Sequence, residues 1–246
     1  MNFLGLDAPS IVKRVQASPG GIKPPSRART LAIGVTGFGA ASLVVFGMWA
    51  FAGRPMYRYL GEAGAYAVWA IVFIGLAGVA LNPLVIGPRT LGRFYGLFTV
   101  AFGAYAILWS MSWFVLKGRA GEWVGSLVGS VALGLILTWG FAAWGAGLRV
   151  VAALFVLHSA GYFLGSFLFE FCLGQSGAEL FGESLSKAGR STLAKFLWGA
   201  AYGAGLGAGL GYALYLCQRR VRDALALPGP PASSEVGGSQ ATAGMP

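Results

Sequence analysis

Residues Trp198 to Gln218, WGAAYGAGLGAGLGYALYLCQ, carry glycine at positions 199, 203, 207 and 211 and again at 205 and 209. Residues four apart lie on the same side of an α-helix, so this spacing leaves two ridges of the helix without side chains. In water the segment would form a poor helix, because each glycine costs about 1 kcal/mol relative to alanine. In a bilayer the backbone must satisfy its own hydrogen bonds, and missing side chains let a second helix approach closely. The stretch therefore predicts a membrane-spanning helix whose packing faces consist of Gly199, Gly203, Gly207, Gly211, Gly205 and Gly209.

The composition of the chain is that of a polytopic membrane protein. Its 246 residues are 56% hydrophobic and only 11% charged, too few charges for the surface of a soluble domain of this size. The net charge of +10 does not indicate nucleic-acid binding, because the basic residues are scattered between apolar runs. The basic residues lie at the ends of the apolar runs, as residues that anchor helices at the membrane surface do. The predicted partner is therefore the lipid bilayer. Two cysteines predict neither a disulfide framework nor a metal site.

Six apolar runs are each long enough to cross about 30 Å of hydrocarbon, which takes about 20 helical residues. Five of the six contain no charged residue or histidine, whereas the fifth contains His158 and Glu170. Short connections, apart from 174–195, predict that successive helices are antiparallel neighbours. The predicted fold class is all-α, a bundle of six transmembrane helices at 31–53, 64–86, 94–116, 123–146, 150–173 and 196–218.

Lysines and arginines divide unequally between the two sides of this bundle. Of the 18, 11 lie on the side of the two termini and 7 on the other. The positive-inside rule then predicts a multi-pass protein of the cell membrane with both termini in the cytoplasm. The same topology places Cys172 and Cys217 at opposite faces, too far apart for a disulfide. A membrane-impermeant thiol reagent applied outside is expected to reach Cys172 rather than Cys217.

Two terminal segments and one long loop flank the predicted bundle. Residues 1–30 contain four prolines and predict a flexible cytoplasmic segment with at most a short amphipathic turn around Ile11 to Val15. Residues 219–246 predict a basic stub followed by a disordered tail rich in Pro, Gly and Ser. Loop 174–195 is compatible with a short interfacial helix and equally with a solvated loop. Asn82-Pro83 predicts a kink, because proline removes a backbone donor.

The fifth predicted helix carries the main candidate for a functional site. His158, Ser159, Tyr162, Ser166 and Glu170 recur at spacings close to a helical turn and so follow one side of the helix. A polar stripe on a spanning helix should face the interior of the bundle, since ionisable groups in hydrocarbon are costly. The stripe predicts either hydrogen bonds that only join helices, or a polar path for a proton or solute. A third interpretation, a tetrapyrrole or metal ligand at His158, is weaker.

Eight tryptophans and the absence of enzyme motifs complete the sequence evidence. Most of the tryptophans lie near predicted helix ends, which favours an interfacial aromatic belt over a ligand cage.

One histidine in the whole chain excludes an H-E-x-x-H zinc site, and no G-x-S-x-G motif is present. The sequence therefore predicts no catalytic residues, no metal and no cofactor.

Two functions follow from these observations. The first is a non-enzymatic structural or assembly component of a membrane complex, which packs through its glycines within the chain, in a homo-oligomer or against other membrane subunits. The second is a transporter of a small solute or ion, with the polar path along the fifth helix. A transporter should show a continuous polar cavity at His158, Tyr162 and Glu170. A scaffold should bury them in contacts or expose a glycine face.

Overall fold

The computed structural model describes residues 4–19 and 22–226, and the regular structure in those ranges is entirely helical. The all-α prediction is therefore confirmed for the described part of the chain. Its α-helices are α1 (Ala8–Gln16), α2 (Arg27–Leu81), α3 (Leu91–Leu116), α4 (Gly118–Gly140), α5 (Gly147–Leu173), α6 (Gln175–Phe181), α7 (Lys187–Cys217) and α8 (Arg219–Ala226). Short 3₁₀ turns follow α2, precede α5 and follow α6, at Asn82–Leu84, Trp144–Ala146 and Gly182–Ser184.

Four helical segments are long and apolar enough to cross a membrane: Arg27–Leu84, Leu91–Leu116, Gly118–Gly140 and Trp144–Leu173. They indicate an integral membrane protein. The count differs from the six predicted spans for two physical reasons. Predicted spans 31–53 and 64–86 belong to the single helix α2, and α7 is less apolar because it contains a glycine ladder and begins with basic residues.

Helix α2 folds back on itself at Gly61. Its 55 residues would extend about 80 Å as one straight helix, far more than a bilayer requires. Gly61 has non-helical backbone angles, φ 69° and ψ 179°, and the positive φ favours glycine. The rings of Phe38 and Phe73 stack with centroids 5.3 Å apart, although 35 residues separate them in the chain. The two halves of α2 therefore run antiparallel and pack against each other.

Helix α7 lies between α2 and α5, and its two rows of glycines face different neighbours. A Cβ added to Gly203 would lie 2.6 Å from the Cβ of Ser42 on α2. A Cβ added to Gly205 would lie 2.7 Å from the Cα of Gly161 on α5. Real Cβ atoms essentially never approach other heavy atoms within 3.0 Å, so a methyl group at either position would require the neighbour to move. Both glycine rows thus lie in contacts within one chain.

The end of the molecule at which the described residues begin and end, here called the terminal end, is held together by α1, α8 and one buried glutamine. Ile11 and Val15 of α1 are buried, so the predicted short turn belongs to a nine-residue amphipathic helix. Gln218, only 1% exposed, accepts a hydrogen bond from the backbone N–H of Ile86 at 2.7 Å. The same side chain donates to the carbonyl oxygen of Leu84 at 2.9 Å. It joins the end of α7 to the turn that follows α2.

The opposite end, here called the α6 end, contains the Gly61 bend, the α3–α4 connection and α6. Helix α6 occupies part of the predicted loop 174–195, as the helical interpretation of that loop expected. Pro83 ends α2 at Leu81 and starts a 3₁₀ turn, so the predicted kink is a helix terminus. The C-terminal tail predicted to be disordered lies outside the described residues from 227 onward, whereas the basic stub forms α8.

Candidate functional site

A cavity of about 410 Å³ lies between the helices and reaches from the α6 end toward the middle of the molecule. Fourteen of its nineteen lining residues are aromatic, and α2, α3, α4, α5 and α7 all contribute to its wall. On α3 the lining residues recur every three or four positions, so one face of that helix is aromatic. The aromatic lining residues are Phe46, Trp49, Tyr57, Tyr66, Trp69, Phe73, Phe102, Tyr105, Trp109, Trp113, Tyr162, Phe169, Trp198 and Tyr202.

The mouth of the cavity carries its only charged lining residue, Glu122. This residue lies in the second turn of α4 and is 8% exposed. The hydroxyl of Tyr162 donates to its carboxylate at 3.4 Å, and Arg119, one turn earlier on α4, approaches it at 3.5 Å. Arg119 also reaches Glu170 on α5 at 3.5 Å, where both side chains are largely exposed. The carboxylate is thus partly desolvated and held by contacts that are long for an ion pair.

The inner end of the cavity is formed by hydroxyl groups backed by the single histidine. Tyr105 and Tyr202 both line the cavity, and their hydroxyl oxygens are 3.1 Å apart. Behind them the imidazole Nε2 of His158 lies 2.9 Å from the Tyr105 hydroxyl. Tyr105 lies about 17 Å along α3 from its last residue, Leu116, which corresponds to the middle of a bilayer. A ligand that enters from the α6 end would therefore pass Glu122 before it reaches the Tyr105–Tyr202 pair.

Three indole N–H groups around the cavity have no acceptor. The Nε1 atoms of Trp69, Trp109 and Trp198 are buried and make no hydrogen bond within the described residues. A buried tryptophan N–H usually has a partner, because leaving a donor unpaired costs free energy. These three N–H groups therefore lack an acceptor among the described residues. The belt interpretation fails for the tryptophans that line this cavity, whereas Trp123 and Trp144 are exposed as a belt requires.

The structure separates the five residues of the predicted polar stripe. Tyr162 lines the cavity, whereas His158 is completely buried behind the tyrosines. Ser159 is 6% exposed and its hydroxyl has no partner among the described residues. Ser166 donates to Glu170 at 3.4 Å, and Glu170 lies at the surface with 62% of its side chain exposed. These residues do not line one continuous polar cavity.

Sequence reasoning missed the most informative residue of the site, Glu122. The predicted fourth span began at Trp123, so Glu122 was counted as part of a loop, but α4 begins at Gly118 and carries it into the bundle. The aromatic wall was also missed, although its signal is visible: aromatic residues recur at helical spacing in α3 and in both halves of α2.

Metal binding has no support in the described ranges, which contain no group of three or more His, Cys, Asp or Glu side chains placed to hold an ion. His158 has aromatic neighbours: its ring lies 5.4 Å from the Tyr105 ring and 5.6 Å from the Tyr202 ring. Comparison with protein-family models, curated proteins and solved structures finds no match. The chemistry of the cavity is therefore the basis for a function.

Proposed function

We propose that this chain is a non-enzymatic, multi-pass membrane protein that binds a small organic cation with an apolar body and moves it across the membrane. The observation that carries the proposal is the aromatic cavity with a single charged lining residue, the acidic Glu122. Aromatic ring faces attract cations, by about 0.5 to 2 kcal/mol per ring when water is excluded. Among the described residues that line the cavity there is no lysine or arginine. The basic groups beside its wall already have partners, since Arg119 meets Glu122 and the ammonium of Lys195 lies 4.8 Å from the centre of the Trp49 ring.

The contacts at the mouth allow a ligand to replace Arg119. Its guanidinium is 61% exposed and meets Glu122 at 3.5 Å, and an ion pair this open contributes little to stability. A cation that entered the cavity would meet the same carboxylate from the buried side. It would also bury its apolar groups against the aromatic walls. Entry of the ligand therefore costs the protein only a weak surface contact.

The topology supports a path that opens at one face. If each half of α2 and the glycine-rich helix α7 cross the bilayer along with α3, α4 and α5, the chain spans it six times. Both termini then lie on one side, and the distribution of basic residues assigns that side to the cytoplasm. The mouth at Glu122 would face outward, and the tyrosine pair would lie near the bilayer centre. The proposed route follows the cavity between α2, α3, α4, α5 and α7, and of the polar stripe on α5 it includes Tyr162.

An assembly role has less support. Such a role needs a face on which a partner packs, and both glycine rows of α7 are covered by α2 and α5 of the same chain. A partner subunit or second copy would have to bind another surface. The assembly hypothesis therefore stays a prediction. Binding of a cation by the isolated protein would explain the cavity without an assembly role.

Two phenyl compounds of the same shape and opposite charge test the proposal. Quenching of tryptophan fluorescence in the purified full chain should report binding of tetraphenylphosphonium, with much weaker binding of tetraphenylborate. Glu122→Gln should weaken tetraphenylphosphonium about tenfold, which corresponds to about 1.4 kcal/mol. The control Glu179→Gln removes an exposed carboxylate outside the cavity and should change nothing. Equal binding of the two compounds, or unchanged affinity in Glu122→Gln, would refute the cation site.

A flux assay separates transport from binding alone. Vesicles that contain the protein should take up methyl viologen, a cation that crosses lipid poorly, faster than vesicles without protein. Glu122→Gln should slow that uptake and Glu179→Gln should not. Binding without protein-dependent uptake would show a binding site for the cation and would reject transport.

A further inference from the structure

A second pocket, of about 440 Å³, lies at the terminal end, far from the aromatic cavity. Its walls are the C-terminal part of α1 and the segment that connects α2 to α3. Three of its seven lining residues are arginines and none is acidic. The lining residues are Arg14, Ala17, Ser18, Pro19, Pro88, Arg89 and Arg93.

The arginines of this pocket have no carboxylate partner in the described ranges, although Nη1 of Arg93 donates to the carbonyl oxygen of Leu4 at 3.3 Å. No salt bridge within 4.0 Å joins Arg14, Arg89 or Arg93 to a carboxylate in the described ranges. The Nε and Nη2 atoms of Arg14 are buried and have no hydrogen-bond partner there. Burial and the neighbouring Arg93 lower the pKa of Arg14, and Asp7 only partly opposes this effect. Arg14 as a whole is only partly buried, but two of its guanidinium nitrogens lack an acceptor, which a ligand with negatively charged oxygens could supply.

The backbone brings the guanidinium groups together and adds further donors. At Gly5, which has φ 58°, an added Cβ would lie 3.3 Å from Nη1 of Arg14 and would collide with Nη1 of Arg93. Both side chains therefore converge on one point of the N-terminal segment. Helix α3 begins at Leu91, between Arg89 and Arg93, and the side chain of Thr90 does not cap it. Free N–H groups and the positive end of the helix dipole favour an anion there.

We propose that the pocket formed by Arg14, Arg89 and Arg93 binds a phosphate group. A phosphate offers several acceptor oxygens with negative charge, and guanidinium groups bind such oxygens in pairs. The group can belong to an anionic lipid headgroup or to a soluble phosphate compound. The terminal end carries the larger share of basic residues, and basic pockets beside membrane helices suit lipid headgroups.

Matched charge removals test this site on the full chain in detergent. Arg14→Gln with Arg93→Gln removes two charges from the pocket. The control, Lys13→Gln with Arg29→Gln, removes two charges from exposed positions at the same end. Because the first pair could disturb docking of α1, Arg89→Gln alone provides a second variant, at an exposed residue outside α1.

Two probes distinguish the sources of the phosphate. In native mass spectrometry, a lipid site predicts that the wild-type protein and the control retain phosphatidylglycerol over phosphatidylcholine. In both pocket variants the preference for phosphatidylglycerol over phosphatidylcholine should fall at least fivefold. A soluble-phosphate site predicts instead that inorganic pyrophosphate raises the melting temperature of wild type and control only. If neither probe distinguishes the pocket variants from wild type, or if the control loses binding equally, the site is refuted.

Discussion

Substitution of Gly207 by alanine should destabilise the protein, because the added methyl group would meet backbone that has no room to yield. A Cβ at this position would collide with the carbonyl oxygen of Gly34 and lie 2.9 Å from its carbonyl carbon and 3.1 Å from the Cβ of Phe38. Ordinary contacts begin at 3.4 Å, so the carbon atom alone must retreat by 0.5 Å, the difference between 3.4 and 2.9 Å. Overpacking of this kind typically costs 1 to 3 kcal/mol.

The matched control is Gly103→Ala, a helical glycine on α3 whose added Cβ would have no heavy atom within 4 Å. That change should be neutral or should stabilise by up to about 1 kcal/mol, because alanine favours helix more than glycine does. Thermal unfolding in detergent, followed by tryptophan fluorescence, compares the two variants. Gly207→Ala should melt roughly 2 to 12 °C lower than wild type. If Gly207→Ala had the same melting temperature as wild type while Gly103→Ala behaved as expected, the reasoning that α7 contacts α2 closely at Gly207 would be refuted.

Two further predictions concern the terminal end and the orientation. Gln218→Leu removes the acceptor for the buried N–H of Ile86 and should lower the free energy of unfolding by roughly 1 to 3 kcal/mol, whereas Gln16→Leu at an exposed position should have little effect. Equal melting temperatures of the two variants would contradict this. Both native cysteines are buried, so the thiol test of topology requires new ones at the exposed positions Lys13 and Glu179. An impermeant maleimide should label Glu179→Cys but not Lys13→Cys on intact cells, and the reverse pattern would invert the topology.

The sequence predicted helix positions well where hydropathy alone decides them. Predicted spans 94–116 and 150–173 fall within α3 and α5, whose bounds are Leu91–Leu116 and Gly147–Leu173. Hydropathy could not show that residues 54–63 are mostly helical, because that segment is polar and its only break is the positive φ of Gly61. Nor could it show that α1 is a full helix, since Ile11 and Val15 are buried by contacts with distant parts of the chain.

The spacing of glycines indicated close packing but not the partner. Periodicity shows that two faces of α7 lack side chains, and it cannot distinguish a neighbour in the same chain from a second copy. The structure assigns the rows to α2 and α5 through contacts at Gly203 and Gly205. How much these contacts contribute to stability is what the Gly207 variant measures.

The cavity was harder to predict because it depends on tertiary structure. Each aromatic stripe taken alone is typical of a buried helix face, and only the convergence of five helices leaves a space between them. Glu122 falls outside the predicted span because it directly precedes the first residue, Trp123, and the helix extends beyond the apolar run that defines the span. His158 is a candidate in the sequence because it is the single histidine and lies within a predicted span. In the structure its contacts are those of a buried hydrogen-bonding group.

The central position of α7 has a consequence for synthesis in the cell. This helix follows α2 and α5 in the chain, yet it fills the space between them, and Ser42 of α2 bonds the carbonyl oxygen of Gly199 across 157 residues. While the ribosome is still making α6, the earlier helices can already be inserted, but the surfaces that receive the glycines remain uncovered. A chain that stops before residue 187 would therefore insert its earlier helices but would lack α7, the helix that packs between α2 and α5. Such fragments would present exposed helix faces to the proteases that remove unassembled membrane proteins.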